Sequence, residues 1–225
     1  ASIGMNPLEI LDAARVSSRL YDVERATMFN VMGRYAAERE SFGNAKVFIN
    51  TIPGYFINNK DIAELSEKYK GLMGNFIFEL TEQDTVSDKE LDAIRRLCGQ
   101  TDSNQIAIDD YGTGHSNIVN LMRYAPQIIK IDRALISDID KDTNKQLFVR
   151  NTIDFAHRNN IRTLAEGVET LEELQTVIEF GIDLIQGFYT GRPAARPVSE
   201  IDEKIRNTII QLKLQAVRLD SVPLT

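Results

Sequence analysis

The hydrophobic pattern changes character once along the chain. Over residues 7–40 apolar positions recur at helical spacing and nothing reads as a strand. Asn6 as cap and Pro7 at the first position open a helix over residues 7–20. A second helix fills about 22–40, with Val23, Ala26, Met28, Phe29, Met32 and Ala36 supplying much of its apolar face. Beyond it short apolar runs alternate with helical stretches. Strands are expected at Lys46–Ile52, Asn75–Glu82, Gln105–Asp110, Ile128–Asp132, Ile161–Glu166 and Asp183–Tyr189, and helices near 61–70, 88–97, 116–124, 144–159, 170–180 and 199–217. Strand starts 22 to 33 residues apart are the repeat of parallel βα units. Runs that are apolar on both faces suit strands with helices on one side and a packed interior on the other.

Two parallel architectures compete, an open doubly wound sheet and a closed (β/α)8 barrel, and both place functional groups at the carboxyl ends of strands. Nearly every predicted strand delivers a polar group there: Asn50, then Glu79 and Glu82, Asp109 and Asp110, Lys130 and Asp132, Glu166 and Glu169, and finally Gln186. An open sheet concentrates its site at one switch point, whereas a barrel gathers every strand end on one ring. Contributions from six successive strands favour the barrel. Eight strands close such a barrel and six are legible, so the expected fold is an α/β, TIM-like (β/α) barrel that starts inside the fold or rebuilds its seam in another way.

Composition adds limits. The 225 residues are 43% hydrophobic, enough for one sizeable core, and one domain is expected over residues 1–217 with a tail at 218–225. A balance of 26 Lys+Arg against 33 Asp+Glu, net −7, gives no support to a broad DNA contact. It leaves room for a small phosphate substrate held by cations. The single cysteine, Cys98, excludes an internal disulfide and a thiolate-rich zinc site. No run approaches a membrane span and no secretory leader is legible at the start, so a domain facing the cytoplasm, without membrane contact, is expected.

Two adjacent carboxylates, Asp109 and Asp110, end the third strand before the turn Gly112-Thr113-Gly114. Consecutive strand residues face opposite sides, so the pair either diverges or sits where the strand bends. Keeping two carboxylates close is unfavourable without a cation or proton between them. A metal-bridging centre and a solvated turn are equally compatible with the local pattern. Oxygen ligands in this number suit Mg2+ or Mn2+, and the scarcity of His and Cys argues against zinc. Two such ions about 3.5–4 Å apart clamp the oxygens of an in-line phosphoryl transfer. In that reading Asp110 bridges, Asp109 serves one ion, Lys130 orients the hydroxide or answers phosphate charge, and Glu166 or Glu169 takes the proton from water. Glu82 could accept backbone donors from the glycine turn and hold it in shape. Tyr189 and Arg192 follow the last strand, where a substrate contact and a plain rim position are equally open.

These stretches resemble the EAL family of cyclic di-GMP phosphodiesterases. The resemblance lies in Val47-Phe-Ile-Asn50, Phe78-Glu-Leu-Thr-Glu82, Asp109-Asp-Tyr-Gly-Thr-Gly-His-Ser116, Ile129-Lys-Ile-Asp-Arg133, Leu164-Ala-Glu-Gly-Val-Glu-Thr170 and Gln186-Gly-Phe-Tyr189, with Arg192-Pro193 after it. It implies a barrel that hydrolyses cyclic di-GMP to linear pGpG with Mg2+ or Mn2+. Carried over residue by residue, Asn50, Glu79, Asp109, Asp110 and Glu166 fall on metal positions, Lys130 and Asp132 on the water network, and Glu166 also on the base. Glu82 and Glu169 match positions that organise the loop and the metal site, and Gln186 the last polar position of the ring. Tyr111, His115 and Asn117 depart from the usual phenylalanine, tyrosine and serine. The Glu-Ala-Leu stretch that names the family, which carries a metal-binding glutamate, is absent from the sequence. The expectation is therefore an EAL domain truncated at its N-terminus, a phosphodiesterase when intact, with a catalytically weak or inactive cyclic di-GMP-binding regulatory module as the alternative. An attached sensor or GGDEF-type domain and a homodimer are the partners this implies.

Overall fold

The computed structural model describes residues 6–83, 85–98, 105–114, 118–198 and 200–220. The chain divides into two compact units, residues 1–80 with 84–105, and residues 81–83 with 106–225.

The first unit opens with α1 (Pro7–Val16), α2 (Leu20–Ala37) and the single turn α3 (Arg39–Phe42). Asn6 and Glu9 form a reciprocal cap at the start of α1, with Asn6 Oδ1 accepting from Glu9 N at 2.9 Å and Asn6 N donating to Glu9 Oε2 at 2.8 Å. The first helix, expected to run to residue 20, ends at Val16, and the second begins at Leu20. Ser17 Oγ donates back to the Ala13 carbonyl at 2.7 Å and Ser18 adopts a φ of 55°, which ends the first before Leu20 starts the second. Along α2 the buried positions Leu20, Glu24, Met28, Met32 and Tyr35 form one stripe.

The strands β1 (Val47–Asn50) and β2 (Phe76–Thr81) pair in parallel from Val47 opposite Phe76 to Asn50 opposite Glu79. Between them lies α4 (Asn59–Lys68), capped by Asn58, and α5 (Asp88–Cys98) follows. Ile49, Phe76, Phe78, Leu65, Leu91 and Leu97 are buried in this unit's core. Cys98 is a buried thiol at the end of α5, and burial pushes its pKa up to about 11.

The second unit carries β3 (Ile106–Tyr111), α6 (Ile118–Tyr124), β4 (Ile128–Ile131), α7 (Arg133–Ile136), α8 (Thr143–Arg158), β5 (Arg162–Ala165), α9 (Leu171–Glu179), β6 (Leu184–Ile185) and α10 (Glu203–Asp220). Its four strands are parallel and lie side by side in chain order. A doubly wound sheet reverses its order at a switch point, so this succession is that of a TIM-like barrel.

The ends of β4 and β6 also differ from expectation. Asp132 does not extend β4 but caps α7, accepting from Ala134 N at 2.6 Å. The last strand is two residues long, and the chain beyond it stays alongside Val168, with the Gln186 carbonyl accepting from Val168 N at 3.1 Å and Tyr189 N donating to Val168 O at 3.0 Å. A side chain at Gly187 would collide with the Val168 backbone, so this approach requires glycine. The expected start of α6 near residue 116 lies outside the described residues. No helix among the described residues is long and apolar enough to cross a membrane.

Candidate functional site

A backbone irregularity resolves the question of the paired aspartates. Ile108 sits opposite Ile129 and Tyr111 opposite Ile131, so Asp109 and Asp110 share the single position opposite Lys130. This is a β-bulge, and Asp110 absorbs the extra residue with a φ of 53°. The bulge cancels the alternation that would have sent the two carboxylates to opposite faces. Oxygens of Asp109, Asp110 and Glu166 consequently lie within 4.8 Å of one another.

Lys130 stands among them on the next strand. Its Nζ is 2.7 Å from Asp109 Oδ1 and 2.8 Å from Glu166 Oε1, and its side chain is only 6% exposed. The adjacent strands bring these groups together because β4 and β5 pair in register up to Ile131 and Ala165, each one residue before its terminal acid. The carboxyl of Asp110 is pushed above the usual range by burial, then by the negative charges of Asp109 and Asp132 and a hydrogen bond with Asp132, against a smaller opposing effect of Lys130. Asp109, Asp110 and Glu166 thus gather about one lysine, with Asp132 beside Asp110. Oxygen donors with excess negative charge fit a hard divalent cation, and the arrangement is suited to holding one.

The turn after β3 is fastened by Glu82, as its sequence position suggested. The buried Glu82 carboxylate accepts from Gly112 N at 3.2 Å and Gly114 N at 2.7 Å. Gly112 has a φ of 101°, open to glycine and strained for other residues. Glu169 pairs with Arg133, whose Nη2 lies 2.9 Å from its Oε1, and this pair is partly exposed. Gln186 is exposed beyond β6, where its backbone bridges Ala165 and Val168. Arg192 stacks its guanidinium 4.4 Å above the Phe188 ring.

In the first unit Asn50 and Glu79 are register partners at the carboxyl end of the β1–β2 pair, with Glu79 buried and Asn50 exposed. Thr51 donates through both N and Oγ1 to the Glu79 carbonyl, at 3.3 and 2.8 Å. Behind them Glu24 is buried and its Oε2 accepts from Ile52 N at 3.0 Å.

Sequence reasoning missed Glu173. Its carboxylate, buried on α9, accepts from Glu169 N at 2.8 Å, Thr170 N at 3.1 Å and Asp138 N at 3.0 Å. The signal was present, because Thr170 and Glu173 have the spacing of a capping box.

A sequence profile described as the EAL domain matches residues 4–193. The probable cyclic di-GMP phosphodiesterase PdeN of Escherichia coli is 31% identical over 171 residues, which cover 74% of this chain and 33% of that protein. The cyclic di-GMP phosphodiesterase PdeR of the same organism is 28% identical over 193 residues, 83% of this chain and 29% of PdeR. The chain spans about a third of the length of these curated relatives. Among solved structures, the manganese and cyclic di-GMP complex of Klebsiella pneumoniae BlrP1 at pH 9.0 superposes with a TM-score of 0.70 at 29% identity, covering 85% of this chain and 49% of that one. A standalone EAL protein from Vibrio cholerae, in its cyclic di-GMP-bound form, gives 0.68 at 26% identity, covering 86% and 84%.

Proposed function

This chain belongs to the EAL domain family, and from that premise we propose that it hydrolyses cyclic di-GMP to linear pGpG with the help of Mg2+ or Mn2+. The observation that carries this reading is the convergence of Asp109, Asp110 and Glu166 oxygens within 4.8 Å of one another beside Lys130. Asp109, Asp110 and Glu166 would hold such a cation in the second unit; Asn50 and Glu79, register partners in the first unit, are further candidate ligands. A bound divalent ion supplies Lewis acidity and lowers the pKa of water.

The chain's own groups do the rest. Lys130, held between Asp109 and Glu166, presents its ammonium where phosphate charge and the attacking water meet. Asp132 adjoins Asp110 and is oriented by its cap on α7, so it takes part in ordering that water. Glu166 stands within the acid cluster beside Lys130 and is the acceptor assigned to the water's proton, while Glu169, paired with Arg133, supports the loop. The water oxygen bonds to phosphorus as one phosphoester bond breaks, and a proton returns to the departing ribose oxygen. Glu82 keeps the β3 turn in shape, while Gln186 and Arg192 meet the dinucleotide at the rim.

A second reading is cyclic di-GMP binding without turnover, favoured by Lys130, whose ammonium already lies 2.7 Å from Asp109 and 2.8 Å from Glu166 and so offsets their charge without a cation. A nucleotide substrate of this kind puts either role in the cytoplasm, under the control of a sensor or GGDEF-type domain or of a second copy. Incubating the purified chain with cyclic di-GMP and Mg2+ or Mn2+, with chromatography of the products, separates the readings. Appearance of pGpG that is lost in Asp109→Asn supports the enzyme. Saturable binding with no product sinks it and establishes the receptor.

A further inference from the structure

We propose that Glu173 is a positioning residue for the site, a buried clamp that sets the distance between the segment carrying Glu166 and the segment that follows Lys130 and Asp132. This rests on the proposed function only for its kinetic consequence; the clamp itself stands on geometry.

Glu173 is 5% exposed, and each of its two oxygens serves a different stretch of chain. Oε2 accepts from Glu169 N and Thr170 N, in the loop that leaves β5 through Glu166. Oε1 accepts from Asp138 N, just after the short α7 that Asp132 caps. An ionised carboxylate is acceptor-only, so it can answer N–H donors on both sides at once. These bonds are charge-assisted and buried, hence stronger than neutral ones. The same two segments meet again through Arg133 and Glu169, but that pair has side chains 59% and 35% exposed and is weakened by solvent. The buried link therefore governs the spacing.

An ordinary helix cap would need only the Thr170 side of this arrangement. Thr170 Oγ1 accepts from Glu173 N at 3.2 Å, and Glu173 Oε2 answers Thr170 N. The bond to Asp138 N adds nothing to α9; it ties α9 to a neighbouring loop. Displacing a reacting group by about 1 Å lowers a rate on the order of a hundredfold, and loosening the support of a metal ligand weakens metal affinity by about 10–100-fold.

The discriminating variant is Glu173→Gln. Its single carbonyl can answer Glu169 and Thr170, but its amino group then faces the Asp138 N–H, which severs the link and keeps the cap. Thr170→Ala weakens the cap and leaves the link. Both are measured beside the wild-type full chain. In Glu173→Gln, amide hydrogen exchange at Asp138 is expected to speed up at least tenfold with Thr170 unchanged. Mn2+ binding by calorimetric titration should weaken about tenfold, and kcat for cyclic di-GMP should fall about tenfold or more with KM within about threefold. Thr170→Ala should reproduce none of these. Unchanged exchange at Asp138 in Glu173→Gln overturns the clamp whether or not the chain turns over substrate. Faster exchange with unaltered Mn2+ affinity overturns its role in positioning. A wild-type chain that forms no pGpG, with exchange and Mn2+ binding altered as expected in the variant, overturns the enzyme reading and leaves the clamp standing.

Discussion

Glu24 in the first unit and Glu173 in the second are buried to nearly the same degree, 1% and 5% exposed, yet they titrate in opposite directions. Burial pushes both carboxyls up. Glu24 has one backbone donor, Ile52 N, no partner for Oε1 among the described residues and the negative charge of Glu90 nearby, and its pKa rises to about 8. Glu173 meets three backbone donors and the Thr170 hydroxyl, which outweigh burial and hold it below the usual range. The contrast shows that the supply of N–H groups, more than exclusion of water, decides whether a buried acid carries charge.

The largest effect expected from this contrast is at Glu24. A carboxyl that titrates near 8 in the folded chain and near 4.5 when unfolded holds its proton longer in the folded state. Stability is then fully retained below about pH 4.5 and falls as pH rises through about 8, by about 5 kcal/mol in total. Glu24→Gln keeps an acceptor for Ile52 N and removes the ionisation. Urea unfolding should show the variant more stable than wild type by about that amount at pH 9 and nearly equal at pH 4.5. Equal differences at the two pH values would break the comparison.

Next is Glu173→Leu, which strands three buried N–H groups and should cost about 3 kcal/mol at pH 7 in the same assay. Here the sign is reversed. Because the folded pKa is depressed, the carboxylate's contribution is present above about 4.5 and lost as pH falls through the folded value. The gap between wild type and variant should therefore narrow in acid, and a gap that widens there contradicts the assignment. The smallest effect is at Arg133→Met. Removing this partly exposed partner of Glu169 should change stability by less than about 1 kcal/mol, and by still less in 0.5 M salt, roughly, where such pairs are screened.

The strands and most helices were legible because apolar runs recur at the spacing of βα units, and the polar residues at their ends were legible because each closes such a run. Asp109, Asp110, Lys130 and Glu166 were picked out in that way, and the structure brings them together. What the pattern did not disclose is how two neighbouring aspartates share one side, since no glycine marks the bulge and the positive φ falls on Asp110 itself. The helix α7 escaped because Asp132 reads equally as a strand end and as a cap. Glu24 and Glu173 escaped for different reasons. Glu24 lies on the buried stripe between Leu20 and Met28, where periodicity expects an apolar residue and gives no signal for a buried acid. Glu173 stood in a recognisable capping box, but its third donor, on Asp138, comes from 35 residues away.

The doubling of the acid at the end of β3 is an insertion in the main chain, flanked on both sides by pairings that do not depend on it. Ile108 faces Ile129 and Tyr111 faces Ile131 on either side of the doubled position. Loss of a single codon at Asp109 or Asp110 would thus restore an unbroken ladder, leaving one acid opposite Lys130 and every neighbour in place. The count of negative charges at this point can change by one in a single genetic step while the surrounding sheet keeps its frame, which gives the lineage a simple route between sites of unequal appetite for cations.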